Sequence, residues 1–536
     1  MAALLWLAAA AARLVGVRWG LPAVYNADEP HLVDLAVSFG GGSLRPYDFK
    51  YPTLWPYVLF VAFGLYFLVW SGLGLRRNVR QFAGLFAWHP GGFYLIARLL
   101  SAAASLGAPA LLWRLEKRRH PERWPWAATI LAFCPVVVDL AHSAKPDCFM
   151  LLCATLGWVA AVAVLETGGR RAHWVCGAAF GLAMSTQYTA LPAALALPLA
   201  SLLSPKRPSK RWLAEGALAA AAAFFAGSPY VLLDFHRFAA SMRDQAALST
   251  LGPWDRGAML RAVAINFGAF GGAGSIAGLA ALAGAVRLLK RERALAAVLL
   301  IPLAAYFVVL GNNAEGGWLR YLLGGFPALA LLAAEGVTLP SSSGEALLLG
   351  ALAVGPGLIG GAWTDAALIR PDTRARATAW IEAHVPRGST LLLDEAHASP
   401  DAIMDREELE RLYEKTKAAG SPRARLYRAM ADFHPGGGYR ILRVGRSAAD
   451  LHSGPEHVAR TQAETPTLDV RPGLEPARAE RVDYVVTSSF GARPERAPEL
   501  SRFFDELERD GRLVVTFAPE PGRVEGPVLR VYSLER

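Results

Sequence analysis

Cysteine is scarce. Four occur in 536 residues, Cys134, Cys148, Cys153 and Cys176, all inside or beside apolar runs and none in a CxxC pair. That spacing excludes a disulfide scaffold or a zinc ribbon and leaves small buried hydrophobes. Also missing are an H-E-x-x-H pair, a Walker loop and a dinucleotide-type glycine turn. No metal ligands are assigned, and a divalent ion is left open but not expected. No internal repeat is visible, which removes the inverted-repeat signature of many transporters. Charged residues make up 19% of the chain against 53% hydrophobic ones, with a mean hydropathy of +0.28. That balance belongs to an integral membrane protein.

What charge there is has a pattern. The net +10 gathers between apolar runs, in LEKRRHPER (115–123), GGRRAH (168–173), SPKRPSKRW (204–212) and RLLKRER (287–293). Such placement argues against a nucleic-acid partner and follows the positive-inside rule. With those clusters on the cytoplasmic face, 1–21 runs outward, 92–113 inward, 125–141 outward and 148–165 inward. Runs 174–186 and 188–203 form an out-and-back pair. Then 213–229 goes out, 263–286 in, 294–310 out, 319–337 in and 344–364 out. About eleven membrane helices result, up to thirteen if further crossings are admitted before residue 95. The first run lacks a basic lead and reads as an uncleaved helix with a cytoplasmic N-terminus, not a signal peptide.

One segment disturbs the alternation. Residues 53–73 are apolar enough to span, yet a crossing there would turn every later basic cluster outward. Their Trp, Tyr and Phe content suits an interfacial or re-entrant element, so no net crossing is expected. This parity puts 22–52, 142–147, 230–262, 311–318 and 366–536 on one face. The expected organisation is a transmembrane module over 1–366 and an extracytoplasmic mixed α/β domain over 367–536. In the latter, PDTRARATAWIEAHVPRG opens as an amphipathic helix and STLLLDE follows as a strand. Residues 405–419 and 499–511 read as helices, and YRILRVG, DYVVTSSF, RLVVTFAP and VLRVYSL as strands.

Polar residues collect on that single face. Asp28 and Glu29 stand at the outer end of the first run, with His31 and Asp34 following at helical spacing. A carboxylate there is either solvated or a general base beside an acceptor hydroxyl, and its neighbours favour the base. His142, Lys145 and Asp147 form a second island between apolar runs, as a surface ion pair or a site wall. Asp147 is placed to cap the helix after Pro146. Gln187 and Tyr188 interrupt an apolar run and face a cavity or a helix partner. Tyr230 opens the next external stretch, ahead of Asp234. Arg320 and Tyr321 follow Asn312, Asn313 and Glu315; the arginine either anchors its helix or clamps a phosphate through its planar fork.

Taken together, the short motifs have a familiar order. They are Y-x-x-D-E (Tyr25, Asp28, Glu29), F-K-Y-P-x-L (Phe49 to Leu54), A-K-P-D (Ala144 to Asp147) and S-T-Q-Y-T-A-L (Ser185 to Leu191). S-P-Y-x-x-x-D (Ser228 to Asp234), R-Y-L-L-x-x-x-P (Arg320 to Pro327) and D-x-R-x-x-A-x-x-W-I (Asp372 to Ile381) complete the set. The chain resembles bacterial integral-membrane glycosyltransferases of the C superfamily (GT-C), in the protein mannosyltransferase-like and aminoarabinose transferase-like group. The resemblance implies a polytopic α-helical membrane protein in the bacterial inner membrane. It implies a sugar donor linked to a polyprenyl phosphate, transfer to a glycan, lipid or protein acceptor, and inversion at the anomeric carbon. Asp28 would be the catalytic base and Asp147 the second acid. Glu29, His31, His142, Gln187, Tyr188, Tyr230 and Tyr321 would shape the substrate site, with Lys145 and Arg320 on the lipid phosphate. Gln187 stands where the group often has lysine, and Lys145 where it commonly has arginine, so the cationic complement is reduced. The rivals are a multi-spanning transporter or flippase and a non-enzymatic assembly protein; only the enzyme needs Asp28.

Overall fold

The computed structural model describes residues 2–75, 78–249, 276–310, 319–339, 342–394, 396–421, 423–445, 466–491 and 497–534, with isolated residues between 257 and 272. The expected features at 311–318, including Asn312, Asn313 and Glu315, lie outside the described residues, as does part of 230–286. Two compact bodies make up the chain. One comprises Met1–Val17, Leu44–Phe60 and Ile96–Leu368, and the other Arg18–Ser43, Val61–Leu95 and Ile369–Arg536.

The first body is helical. Among the described residues of the whole chain, four helices are long and apolar enough to cross a membrane: Leu54–Gly72 and Gly91–Arg119, each divided between the two bodies, and Asp147–Thr167 and Ser343–Leu368 in the first. Several expected spans are interrupted. The 125–141 run divides into Trp126–Ala132 and Pro135–Ala141, because Pro135 offers no N–H to the preceding turn and instead suits a new first turn. The 188–203 run starts as a 3-10 turn, Tyr188–Leu195, before the helix Ala196–Leu203. The 319–337 run likewise opens with Leu319–Gly325 before the helix Phe326–Val337.

Small residues set the closest helix contacts. On Arg170–Thr186, Gly177 and Gly181 lie against the carbonyls of Gly216 and Ala220 on Lys210–Gly227. Gly284 and Gly336 meet the carbonyls of Leu332 and Ala280 in the same manner. Without a Cβ the backbones approach and dispersion replaces the missing hydrophobic drive. Two fully buried arginines are satisfied inside the helical body. Arg13 donates to Ser105 Oγ at 2.6 Å and to the carbonyls of Ala9 and Ala132 at 2.8 Å, and Arg98 reaches the Val17 carbonyl at 3.1 Å. The four cysteines are free and buried.

The second body centres on a six-stranded sheet: β1 Thr390–Leu393, β2 Arg440–Gly445, β3 Thr467–Asp469, β4 Tyr484–Ser488, β5 Arg512–Phe517 and β6 Leu529–Ser533, in spatial order β3-β2-β1-β4-β6-β5. β3, β2, β1 and β4 are parallel, while β6 and β5 extend the sheet antiparallel. Alternation along β1 sends Leu392 to one face, with Val485, Phe503 and Leu507, and Leu391 and Leu393 to the other, with Ile381 and Val385. Helices Ser501–Asp510 and Thr373–His384 thus cover opposite faces, which explains the apolar runs of the inner strands. β3 and the helix Ala424–Asp432 were not expected from sequence; Thr467–Asp469 is too short to show a period.

The segments 18–43 and 61–95 belong to this body. Helix Val79–Trp88 packs on Ala424–Asp432 through Arg80–Asp432 at 2.7 Å, Trp88 Nε1 to the Met430 carbonyl at 3.1 Å, and Phe433 against Gly84. Residues 78–95 therefore share a body with the first loop and with 369–536. Helix Leu54–Gly72 leaves Val61, Leu65, Leu68 and Val69 each more than half exposed along one stripe, an apolar surface suited to lipid.

Candidate active site

Four of the short motifs come together in the helical body. Thr53, from F-K-Y-P-x-L and its next turn, donates its hydroxyl to the Gly227 carbonyl at 2.9 Å and takes the Ser228 hydroxyl on its N–H at 3.1 Å. Ser228 in turn lies 2.8 Å from the Ser185 hydroxyl. Trp55 Nε1 donates to the Ala144 carbonyl at 3.2 Å, and its ring lies 5.6 Å from that of Phe149. Phe49 and Tyr188 both pack on Phe238, and Arg45 closes on Asp234 at 2.7 Å. Motifs widely separated in sequence thereby share one wall.

Asp147 is the polar centre of that wall. It is fully buried as the first residue of helix Asp147–Thr167, after Pro146. Its expected capping bond is not made; Oδ1 instead accepts from Gln187 Nε2 at 3.1 Å. Oδ2 is buried without a hydrogen-bond partner among the described residues, and so is the Tyr188 hydroxyl. Buried polar atoms normally find partners, so each of these is open to a further polar group. Lys145 is buried beside this helix start. Asp139, not singled out from sequence, is close enough for His142, Lys145 and Asp147 to act on it electrostatically. Its position inside an apolar helix run hid it.

Arg320 and Tyr321 open the 3-10 turn Leu319–Gly325, where the guanidinium lies 5.5 Å over the Tyr321 ring. That turn is pinned to the Asp147 helix by Trp158 Nε1, 2.8 Å from the Gly324 carbonyl. Tyr230 is half-buried at the start of the short helix Tyr230–Leu233. The ring nitrogens of His142 lie 2.9 Å from the Val138 carbonyl and 2.8 Å from that of Val15, with Asp365 at 3.5 Å, so the ring is held between helix segments.

The first-loop residues lie in the second body. Asp28 precedes helix Glu29–Ser38, with Pro30 in its first turn, and makes no side-chain capping bond. Its N–H is held by Asn26 Oδ1 at 3.0 Å. Asp28 is half-buried and Glu29 fully buried. On the same helix His31 acts electrostatically on Asp34, which also faces Arg423 at 3.7 Å. Burial raises the Asp34 carboxyl above the ordinary range, with Arg423 and His31 drawing it partly back. Among the described residues no three His, Cys, Asp or Glu side chains gather as a metal site. In the first body, Lys50 of the F-K-Y-P-x-L motif is exposed beside the Asp48 turn.

Comparison with known proteins bears on the same segments. Residues 91–231 match the dolichyl-phosphate-mannose-protein mannosyltransferase family. A crystal structure of ArnT from Cupriavidus metallidurans bound to undecaprenyl phosphate aligns over 99% of this chain and 97% of its own, with a TM-score of 0.56 and 13% identity. The apo ArnT structure aligns over 99% and 98%, with a TM-score of 0.53 and 13% identity. At such identity the likeness is one of fold. No curated protein sequence matches the chain.

Proposed function

We propose, for a chain with the GT-C fold and a mannosyltransferase-like segment at 91–231, the transfer of a sugar from a polyprenyl-phosphate carrier to an acceptor hydroxyl on the extracytoplasmic face of the bacterial inner membrane. The reading rests most on Asp147, a buried carboxylate with one oxygen held by Gln187 and the other without a partner among the described residues, on the wall where four motifs meet. Its further support is the undecaprenyl phosphate bound by ArnT, a protein of the same fold.

The reaction balances simply. The acceptor oxygen attacks the anomeric carbon from the face opposite the phosphate, its proton passes to Asp28, and the bond from that carbon to the phosphate oxygen breaks with inversion. The leaving group is a polyprenyl phosphate, whose growing charge needs cations or hydrogen-bond donors already in place. Lys145 and Arg320 supply that charge. Glu29 and His31 shape the surroundings of the base, while Gln187, Tyr188, Tyr230 and Tyr321 line the substrate. Lysine binds phosphate as a point charge and arginine as a fork, so the two cations are not interchangeable.

The test is transfer of radiolabelled polyprenyl-phosphate sugars, extracted from the producing cells, by purified chain. K145M and R320M should each lower the rate by roughly 100-fold, the scale of losing one transition-state donor. Parental rates in both variants would contradict the assignment of the phosphate.

A further inference from the structure

In the second body the strand order changes direction between β1 and β4, with β2 and β3 on one side and β6 and β5 on the other. The crevice beyond the carboxyl ends of strands at such a point is where open α/β sheets ordinarily bind ligands. Here the chain leaving β1 reads Asp394 to Pro400, without the glycines that cradle a phosphate. The space holds protein instead.

Arg374 occupies it. The side chain is almost wholly buried and is gripped by Asp372 through two bonds of 2.8 and 2.7 Å. Its Nη1 donates to the His397 carbonyl, just past β1, at 2.5 Å. On the β4 side Phe490 lies 5.9 Å from the guanidinium carbon, and Gly491 rests on the Asp394 carboxylate. The face of the guanidinium is covered by the first loop, with Tyr25 3.8 Å above it and Trp19 at 6.0 Å. Tyr25 is buried, and its ring backs onto Gly20, whose φ of +72° only glycine adopts freely. Burial, aided by Asp372, pushes the phenol up, so the ring stays neutral.

We infer that this crevice has become a receptor for the chain's own first loop, and that Arg374 is a positioning residue that sets Asp28 through Tyr25. The tether is short. Asn26 follows Tyr25 directly and its side chain holds the Asp28 N–H. Asp372 fixes the plane of a guanidinium that is always charged, so the ring above it has one favoured seat. The kinetic consequence rests on the proposed role of Asp28; the clamp itself does not.

Hydrogen exchange and turnover on the full chain test it together, in Y25F, Y25L and R374A. Y25L and R374A should speed exchange of the amides of 26–34 by about tenfold or more, the scale of one desolvated cation–π contact. In Y25L the amides of β1 and β4 should keep their protection, and Y25F should behave as the parent. Turnover of the extracted polyprenyl-phosphate sugars should lose kcat in Y25L with KM unchanged, and Y25F should restore it. Unaltered exchange at 26–34 in Y25L overturns the clamp, and so the inference, whether or not R374A folds. Faster exchange with parental kcat overturns the positioning role. A parental chain without transfer defeats the proposed reaction while the exchange result still decides the clamp.

Discussion

At the scale of single residues, the Asp147–Gln187 hydrogen bond is the observation on which the proposed function rests most. Where lysine would form an ion pair, Gln187 gives the buried carboxylate a neutral N–H. Q187A should leave that oxygen unpaired at a cost of about 1–3 kcal/mol. Thermal unfolding in detergent reads this as a lowered midpoint, and an unchanged midpoint would mean the bond is immaterial. Asp34 gives a pH-dependent signature. Its raised folded-state value means that the folded chain binds the proton more tightly than the unfolded chain. The stability from the protonated carboxyl is therefore complete below the ordinary value of about 3.9 and is lost as pH rises through the folded value. D34N should flatten that part of the unfolding profile, and an identical slope in the variant would contradict the burial of this side chain.

Elements are where the membrane arithmetic is decided. Helix Leu54–Gly72 has the length and hydropathy of a span, yet the helix that follows it packs on Ala424–Asp432 in the C-terminal region. A cysteine at Val79, which is exposed, should be labelled by a membrane-impermeant maleimide from outside intact cells. Labelling only after the membrane is breached would mean that the segment crosses. The long apolar runs were legible in sequence from their hydropathy. The breaks at Pro135, Tyr188 and Leu319 were less legible, since hydropathy averages over turns that stay apolar. The convergence of the motifs was legible only as a shared face. The bond from Thr53 to Ser228 joins residues 175 apart, and no local pattern encodes such a pairing.

At the scale of the whole molecule the chain forms two compact bodies, each built from segments discontinuous in sequence. Its first loop and residues 61–95 fold with 369–536, while the rest forms a helical body. Composition showed a membrane part and a polar part, but not that the polar part takes the loop bearing Asp28 as one of its own elements. The Tyr25–Arg374 stack links residues far apart in the chain, and sequence offered only the two motifs, Y-x-x-D-E and D-x-R, without their pairing. The central claim is that Asp28 accepts the proton of the acceptor hydroxyl. Its most direct measurement compares D28N with the parent in transfer from polyprenyl-phosphate sugars, after matched unfolding midpoints confirm that both are folded. Loss of a carboxylate base should lower the rate by about 100-fold or more at an unchanged midpoint. Transfer by folded D28N at the parental rate would contradict it.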